Sequence, residues 1–159
     1  MTGLTRQPED VRAIYVLNGP NLNLLGEREP DVYGRATMAE LRERVVTRAG
    51  ESGFHVDFRQ TNSEAELIDW LHEARTKASG VILNAAGLSH TSVSILDAAR
   101  TLPCPLIEVH LSNPYAREKY RQHSFVSEAA TALICGLGPD GYLYAVDALA
   151  SLLMRDKTG

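Results

Sequence analysis

Arg28 and Tyr33 lie five positions apart in one long polar segment, Asn18-Gly19-Pro20-Asn21-Leu22-Asn23-Leu24-Leu25-Gly26-Glu27-Arg28-Glu29-Pro30-Asp31-Val32-Tyr33-Gly34. A phenol is neutral at neutral pH, titrating near ~10 in water. A guanidinium beside it favours the phenolate, which turns an inert hydroxyl into a base. The segment follows the apolar run Ala13–Leu17 and is far longer than the roughly 2–6 residues that join a strand to a helix. A long loop at the end of a first parallel strand is usually a binding loop or a lid. Gly26 and Gly34 bracket the Arg28–Tyr33 pair, so the segment from about Leu24 to Asp31 is expected to move without ligand.

Further polar groups stand where other apolar runs end. The third run ends in Asn84 and is followed by His90; the fourth contains Glu108 and His110, then Leu111 and Ser112. Arg117 and Arg121 are spaced i, i+4, so a short helix there would point both from one face. The set holds a possible base, a possible acid, amides and several cations. It holds no cysteine nucleophile, no carboxylate cluster for a metal, and no Cys/His spacing for zinc.

Each residue also has a plain structural explanation. Tyr33 alone reads as a half-buried aromatic, Arg28 as a solvated charge, and Asn18 and Asn21 as turn formers. A lone His110 between Val109 and Leu111 is more often a satisfied edge residue. Asp97 and Arg100 read as a surface pair on one helix. Asn84 and Glu108 are harder to dismiss, because a polar group on a buried strand requires a partner, and for Glu108 a nearby histidine or arginine is the natural one.

The elements that must position these groups follow from periodicity. Ala13–Leu17 reads as a buried strand. Thr37-Met38-Ala39-Glu40 has the form of a capping box and opens a helix to about Ala49, with Leu41, Val45 and Val46 on one face. His55–Gln60 alternates as a strand does. Ser63-Glu64-Ala65-Glu66 is a second box ahead of the stripe Leu67, Ile68, Leu71 and Ala74. Gly80–Ala85, Pro105–His110 and Thr131–Gly136 are apolar runs of the parallel-sheet kind. Helices are predicted at about 91–100 and 140–154, with a short one carrying Arg117 and Arg121. Five β/α units imply an α/β domain with helices on both faces of a parallel sheet, with its ligand site beyond the C-terminal strand ends.

Bulk properties narrow the function classes. A chain of 159 residues suits one domain, read here as a polar extension over 1–12 and a single domain over 13–159. The formal charge is −4 and the 16 basic residues form no stripe, which speaks against nucleic-acid binding. No apolar stretch reaches the ~18–20 residues of a membrane span. Residues 1–12 lack the apolar region of a secretion signal, and Cys104 and Cys135 read as buried free thiols of a reducing, cytoplasmic setting. The loop after the first strand matches neither a Walker A loop nor G-x-G-x-x-G, and Pro20 removes an amide a phosphate cradle would use.

The chain resembles the type II 3-dehydroquinate dehydratases over roughly Ala13 to Leu153. The resemblance rests on LNGPNLNLLGEREPDVYG (17–34), QTNSEAELIDWLHEA (60–74), GVILNAAGLSHTSVSILDA (80–98), PLIEVHLSNPYAREKYRQHS (105–124) and GLGPDGY (136–142), in that order. It implies a flavodoxin-like three-layer sandwich with a five-stranded parallel sheet in order 2-1-3-4-5. It implies dehydration of 3-dehydroquinate in the shikimate pathway, through an enolate, without cofactor, metal or covalent imine. Tyr33 corresponds to the proton acceptor, His110 to the proton donor, Arg28 to the support of the base, and Asn21 to an enolate-stabilising residue. Asn84, His90, Leu111, Ser112 and Arg121 correspond to substrate-binding positions, and Arg117 to a basic residue close by. Asp97 corresponds to a position reaching the site from a neighbouring subunit of a dodecamer, a tetramer of trimers. Glu108, two residues before His110 on the same strand, would orient the imidazole. The rival readings are a flavodoxin-like module binding a nucleotide or flavin, and a non-catalytic assembly protein with the same fold.

Overall fold

The period-two and period-3.6 patterns set the architecture. In a computed structural model describing residues 13–158, the elements run β1 (Ala13–Asn18), a one-turn α1 (Pro30–Tyr33), α2 (Met38–Glu51), β2 (His55–Gln60), α3 (Glu64–Lys77), β3 (Gly80–Asn84), α4 (Val93–Arg100), β4 (Leu106–His110), β5 (Ala132–Cys135) and α5 (Asp140–Thr158). The extension expected over residues 1–12 lies outside the described residues. All strand pairs are parallel, in the order β2-β1-β3-β4-β5. This is the order expected for a flavodoxin-like sheet, and its switch point falls between β1 and β3.

Alternation along each strand builds two cores. Ile14, Val16, Ile82, Ile107 and Val109 face α2 and α5, where Leu41, Val45, Tyr142, Val146 and Leu149 bury. Tyr15, Leu17, Val81, Leu83 and Leu106 face α3 and α4, where Leu67, Leu71, Ala74, Ile95 and Ala98 bury. Each such aliphatic side chain, fully removed from water, contributes about 1.5–3 kcal/mol before entropy is charged against it. The sheet with helices on both faces is the three-layer sandwich.

Helix starts follow the capping chemistry, with one difference. At α2 both halves of the box form: Glu40 N donates to Thr37 Oγ1 at 3.2 Å, and Thr37 N donates to Glu40 Oε2 at 3.1 Å. At α3 the hydroxyl half forms, with Glu66 N donating to Ser63 Oγ at 3.2 Å. The stripe of α3 buries Leu67, Leu71 and Ala74 as read, with Ile68 partly buried beside them.

Three readings of the sequence need correction. The predicted helix carrying Arg117 and Arg121 is two separate 3₁₀ turns, Pro114–Ala116 and Lys119–Arg121. Arg117 itself is extended, φ −114° and ψ −163°, so the two arginines do not share a helix face. Pro114 opens the first turn and Asn113 caps it, with Tyr115 N donating to Asn113 Oδ1 at 3.1 Å. That local bonding competes with a continuous helix. The helix expected from residue 91 starts at Val93, because residues 86–90 form a 3₁₀ turn and Ser92 caps α4. Cys104 and Cys135 are free, and both are half-buried rather than buried.

Candidate active site

Three loops on the C-terminal edge of the sheet enclose a cavity of about 120 Å³. The loop after β1 supplies Asn21, Arg28 and Tyr33; the end of β3 and the turn after it supply Asn84 and His90; β4 and the turns after it supply His110, Leu111, Ser112, Arg117 and Arg121. Among the described residues, three arginines and two histidines line this space, and no carboxylate does. Such a lining favours a small anion carrying hydrogen-bonding groups.

The first loop is held at its base by backbone bonds. Gly19 N donates to the Asn84 carbonyl at 2.8 Å, and Gln60 Nε2 donates to the Gly19 carbonyl at 3.2 Å. Asn21 follows in the left-handed region at φ 70°, with its own N–H on Asn62 Oδ1 at 3.0 Å. Glu29, just before α1, and Ala86, on the cavity wall, also have positive φ, 42° and 52°. Non-glycine residues in that region cost free energy and cluster at functional sites. Pro30 at the first position of α1 presets the turn that ends in Tyr33.

Tyr33 lies between two guanidiniums. The Cζ atoms of Arg28 and Arg117 are each 5.3 Å from the centre of its ring. Only one of these cations has a hydrogen bond to the oxygen: Arg117 Nη1 donates to Tyr33 Oη at 2.7 Å, and also to Ser112 Oγ at 3.3 Å. Arg28 instead pairs with Glu29 at 3.2 Å. The cation on the phenol oxygen therefore comes from a distant turn rather than from the loop itself.

His110 sits at the end of β4 and is 7% exposed. Its Nε2 lies 2.9 Å from Glu108 Oε1, within hydrogen-bonding distance. Glu108, fully buried on the face that carries Leu83 and Leu106, also accepts hydrogen bonds from the hydroxyls of Ser124 and Ser127. Burial alone pushes the Glu108 carboxyl up, but the bonds from His110, Ser124 and Ser127 together outweigh it and hold it below the usual carboxylate range. His90 stacks on His110 with ring centres 6.0 Å apart and an interplanar angle of 20°. Its Nδ1–H donates to the His123 carbonyl at 2.8 Å. Burial lowers the His90 pKa most, with the His110 and Arg121 charges acting the same way, so its neutral form is favoured.

Asn84 is 3% exposed, and its amide is held at both ends. Nδ2 donates to Tyr142 Oη at 2.9 Å and Oδ1 accepts from Ala86 N at 3.1 Å. Tyr142 Oη in turn donates to Asn18 Oδ1 at 2.6 Å, and Asn18 Nδ2 donates to the Arg59 carbonyl at 3.0 Å. Asn18 thus ties strand ends together, in line with a structural role. Asp97 is exposed on α4 and stands apart from the cavity of its own chain. Arg121, on the cavity wall, pairs with Glu118 at 3.1 Å.

Sequence reading missed three contributors: Ser124, Ser127 and Tyr142. Tyr142 lies in the GLGPDGY stretch, but its bonds to two strand ends far upstream leave no mark on local spacing. Ser124 precedes and Ser127 lies within a 3₁₀ turn, Val126–Glu128, and neither carries a signal until Glu108 is known to lie beneath them. Among the described residues no group of His, Cys, Asp and Glu is arranged to hold a metal, and no helix is long and apolar enough to cross a membrane.

Comparison with known proteins agrees with this geometry. Residues 12–150 match the sequence model of the family Dehydroquinase class II. The chain is 52% identical over 143 residues to 3-dehydroquinate dehydratase of Caulobacter vibrioides, covering 90% of this chain and 98% of that one. It is 54% identical over 138 residues to 3-dehydroquinate dehydratase 1 of Corynebacterium efficiens, covering 87% and 91%. The crystal structure of type II dehydroquinase from Propionibacterium acnes superposes with a TM-score of 0.86 at 45% identity, covering 88% of this chain and 97% of that one. A matching family model over most of the chain, close relatives and a shared sheet order converge: the chain belongs to the class II dehydroquinases, the type II 3-dehydroquinate dehydratases.

Proposed function

We propose that this protein removes water from 3-dehydroquinate by anti elimination through an enolate, giving 3-dehydroshikimate for the shikimate pathway and aromatic amino-acid synthesis. The reading is carried by one observation: the Tyr33 oxygen accepts a hydrogen bond from Arg117 inside a cavity that also contains the buried His110–Glu108 pair. A base and an acid thus come from different elements and reach one space.

The Tyr33 phenolate takes the proton alpha to the ketone, and the C–H pair becomes the enolate. Arg117 stabilises the charge on the phenol oxygen before transfer, and Arg28 adds positive potential over the ring. Asn21, through a water it holds, donates to the enolate oxygen. Collapse of the enolate breaks the C–O bond, and His110 protonates the departing hydroxide, giving water. Glu108 stabilises the imidazolium that precedes that step. The Tyr33 proton then returns to solvent, and His110 takes up a proton from solvent, which restores both groups for the next turnover. The route runs without cofactor, metal ion or imine.

Substrate positioning is assigned to the remaining wall. The amides of Leu111 and Ser112 and the charge of Arg121 suit a carboxylate and ring hydroxyls, with His90 as a further hydrogen-bonding partner. Asn84, its amide fixed by Tyr142 and Ala86, contributes a rigid wall. Residues 13–159 act as one catalytic domain in the cytoplasm. The exposed Asp97 reaches a neighbouring copy's site in a homododecamer built as a tetramer of trimers. The test is to mix the protein with 3-dehydroquinate and follow the ultraviolet absorbance of a conjugated enone. Growth of that band supports the dehydratase, and its absence with folded protein defeats it.

A further inference from the structure

Glu108 has more hydrogen-bond donors than a partner for one histidine requires. Its Oε1 accepts from His110 Nε2 and from the Ser124 hydroxyl, and its Oε2 accepts from the Ser127 hydroxyl. The Ser124 hydroxyl is itself fixed, because Ser127 N donates to its oxygen at 3.4 Å, which leaves the hydroxyl hydrogen for the carboxylate. Both serines lie on one short segment anchored by Val126, which is fully buried among the side chains under that face of the sheet. On either side of Glu108 the sheet offers only apolar neighbours in register, Leu83 on β3 and Leu133 on β5. Without the serines the buried carboxylate would have His110 as its one neutralising neighbour.

We propose that Ser124 and Ser127 are positioning residues that hold Glu108 as an acceptor-only carboxylate, so that neutral His110 keeps its hydrogen on Nε2 and presents Nδ1 as the nitrogen that exchanges the reaction's proton. The chemistry is direct. A carboxylate whose lone pairs are oriented by two hydroxyls can only accept, so the imidazole nitrogen facing it must carry hydrogen. Protonation then adds a proton at Nδ1, and the same proton leaves from Nδ1 to the departing hydroxide. A segment outside the cavity wall thus sets which histidine nitrogen does the work. The inference rests on the reading of His110 as the general acid.

The charged and titratable groups around the pair are few. His90 stacks on His110 from the 86–90 turn, and Arg121 acts on His90 from the 119–121 turn. Cys135 of β5 pairs in register with His110 and has its ionisation disfavoured by burial first and by Glu108 second. These groups stay in place when the serines are changed.

The test uses the full-length protein with nitrogen-15-labelled histidine, the His110 signals being assigned by their loss in His110→Asn. In the wild type at alkaline pH the spectrum should show His110 with hydrogen on Nε2 and a bare Nδ1. In Ser124→Ala/Ser127→Ala a second tautomer should appear. The double variant's kcat should fall by about tenfold or more, part of the ~10²–10⁴ that a placed general acid contributes. KM should stay within about twofold, and the acid limb of the kcat profile should move to higher pH. A wild-type His110 carrying its hydrogen on Nδ1 would overturn the proposal, as would an unchanged tautomer and pH profile in the folded double variant. If the double variant does not fold, the single variants Ser124→Ala and Ser127→Ala carry the same readout, and a wild-type tautomer and pH profile in both would overturn the proposal. Absent turnover in the wild type would refute the dehydratase reading alone, since the tautomer is measured without substrate.

Discussion

Arg117 donates to the Tyr33 phenol oxygen at 2.7 Å across 84 positions of chain, whereas Arg28, five positions away, stacks over the ring and pairs with Glu29. A neutral phenol gains little from a cation at its oxygen, and a phenolate gains much. The two arginines should therefore separate kinetically. Arg117→Ala should lower kcat by about 10²-fold or more, since it removes a charge-assisted bond made most strongly when the base is ionised. Arg117→Lys should recover only part of the loss, because the shorter, flexible ammonium lacks the planar group that lies over the Tyr33 ring and places Nη1 on both the Tyr33 and Ser112 oxygens. Steady-state kinetics on the two variants check this; equal, near-wild-type kcat in both would reject Arg117 as the partner of the base.

Tyr33→Phe deletes one oxygen and leaves the ring between the arginines. Loss of the base should lower kcat by about 10²–10⁴, while substrate still binds with an affinity close to wild type. Calorimetric titration with substrate, paired with the enone assay, separates the two quantities. Full activity in the phenylalanine variant would mean that another group abstracts the proton.

Glu108 supplies a pH prediction with a definite sign. Its carboxyl is held below the usual range in the folded protein, whereas in the unfolded chain it returns to about 4.3. The unfolded state therefore binds the proton first. The stabilisation is present above the unfolded value and is lost as pH falls through the folded value. Wild-type unfolding free energy should drop as pH falls below about 4.5, and Glu108→Gln should flatten that part of the profile. Urea melts from pH 3 to 7 are the measurement; parallel profiles would show that other carboxylates dominate acid unfolding.

The fold was legible because period and capping agree with tertiary demand. The alternation of β2, the apolar runs of β3 and β4, and the Thr37 box each mark an element within a residue or two of its place. Most of the cavity lining was legible too, since polar side chains at parallel strand ends have few other uses. Contacts that depend on a broken pattern were not. Arg117 and Arg121 have helical spacing, but Pro114 and the Asn113 cap impose a 3₁₀ turn, and the extended Arg117 leaves its i, i+4 relation to Arg121 without geometric meaning. The partner of Tyr33 then follows from where that turn lies against the first loop, a relation that no local window encodes.

The hydroxyl of Tyr142 joins the ends of β1 and β3 through Asn18 and Asn84 while the ring is buried between α5, which carries it, and the sheet. Burial, only partly offset by the Asn84 bond, pushes its ionisation far up, so it remains a donor to Asn18 throughout the working pH range. Tyr142→Phe keeps the ring's packing but strands two buried amide groups. The cost should be about 1–3 kcal/mol of stability, the desolvation penalty of unpaired buried polar groups. Asn84 Nδ2 would lose its partner at the cavity wall, so KM should rise more than kcat falls, because the base and the acid stand on other elements. Chemical denaturation combined with kinetics tests both halves. A variant as stable as wild type would mean that the two asparagines find new partners. One with kcat reduced and KM unchanged would mean that the bridge acts on the chemical step rather than on the shape of the binding site.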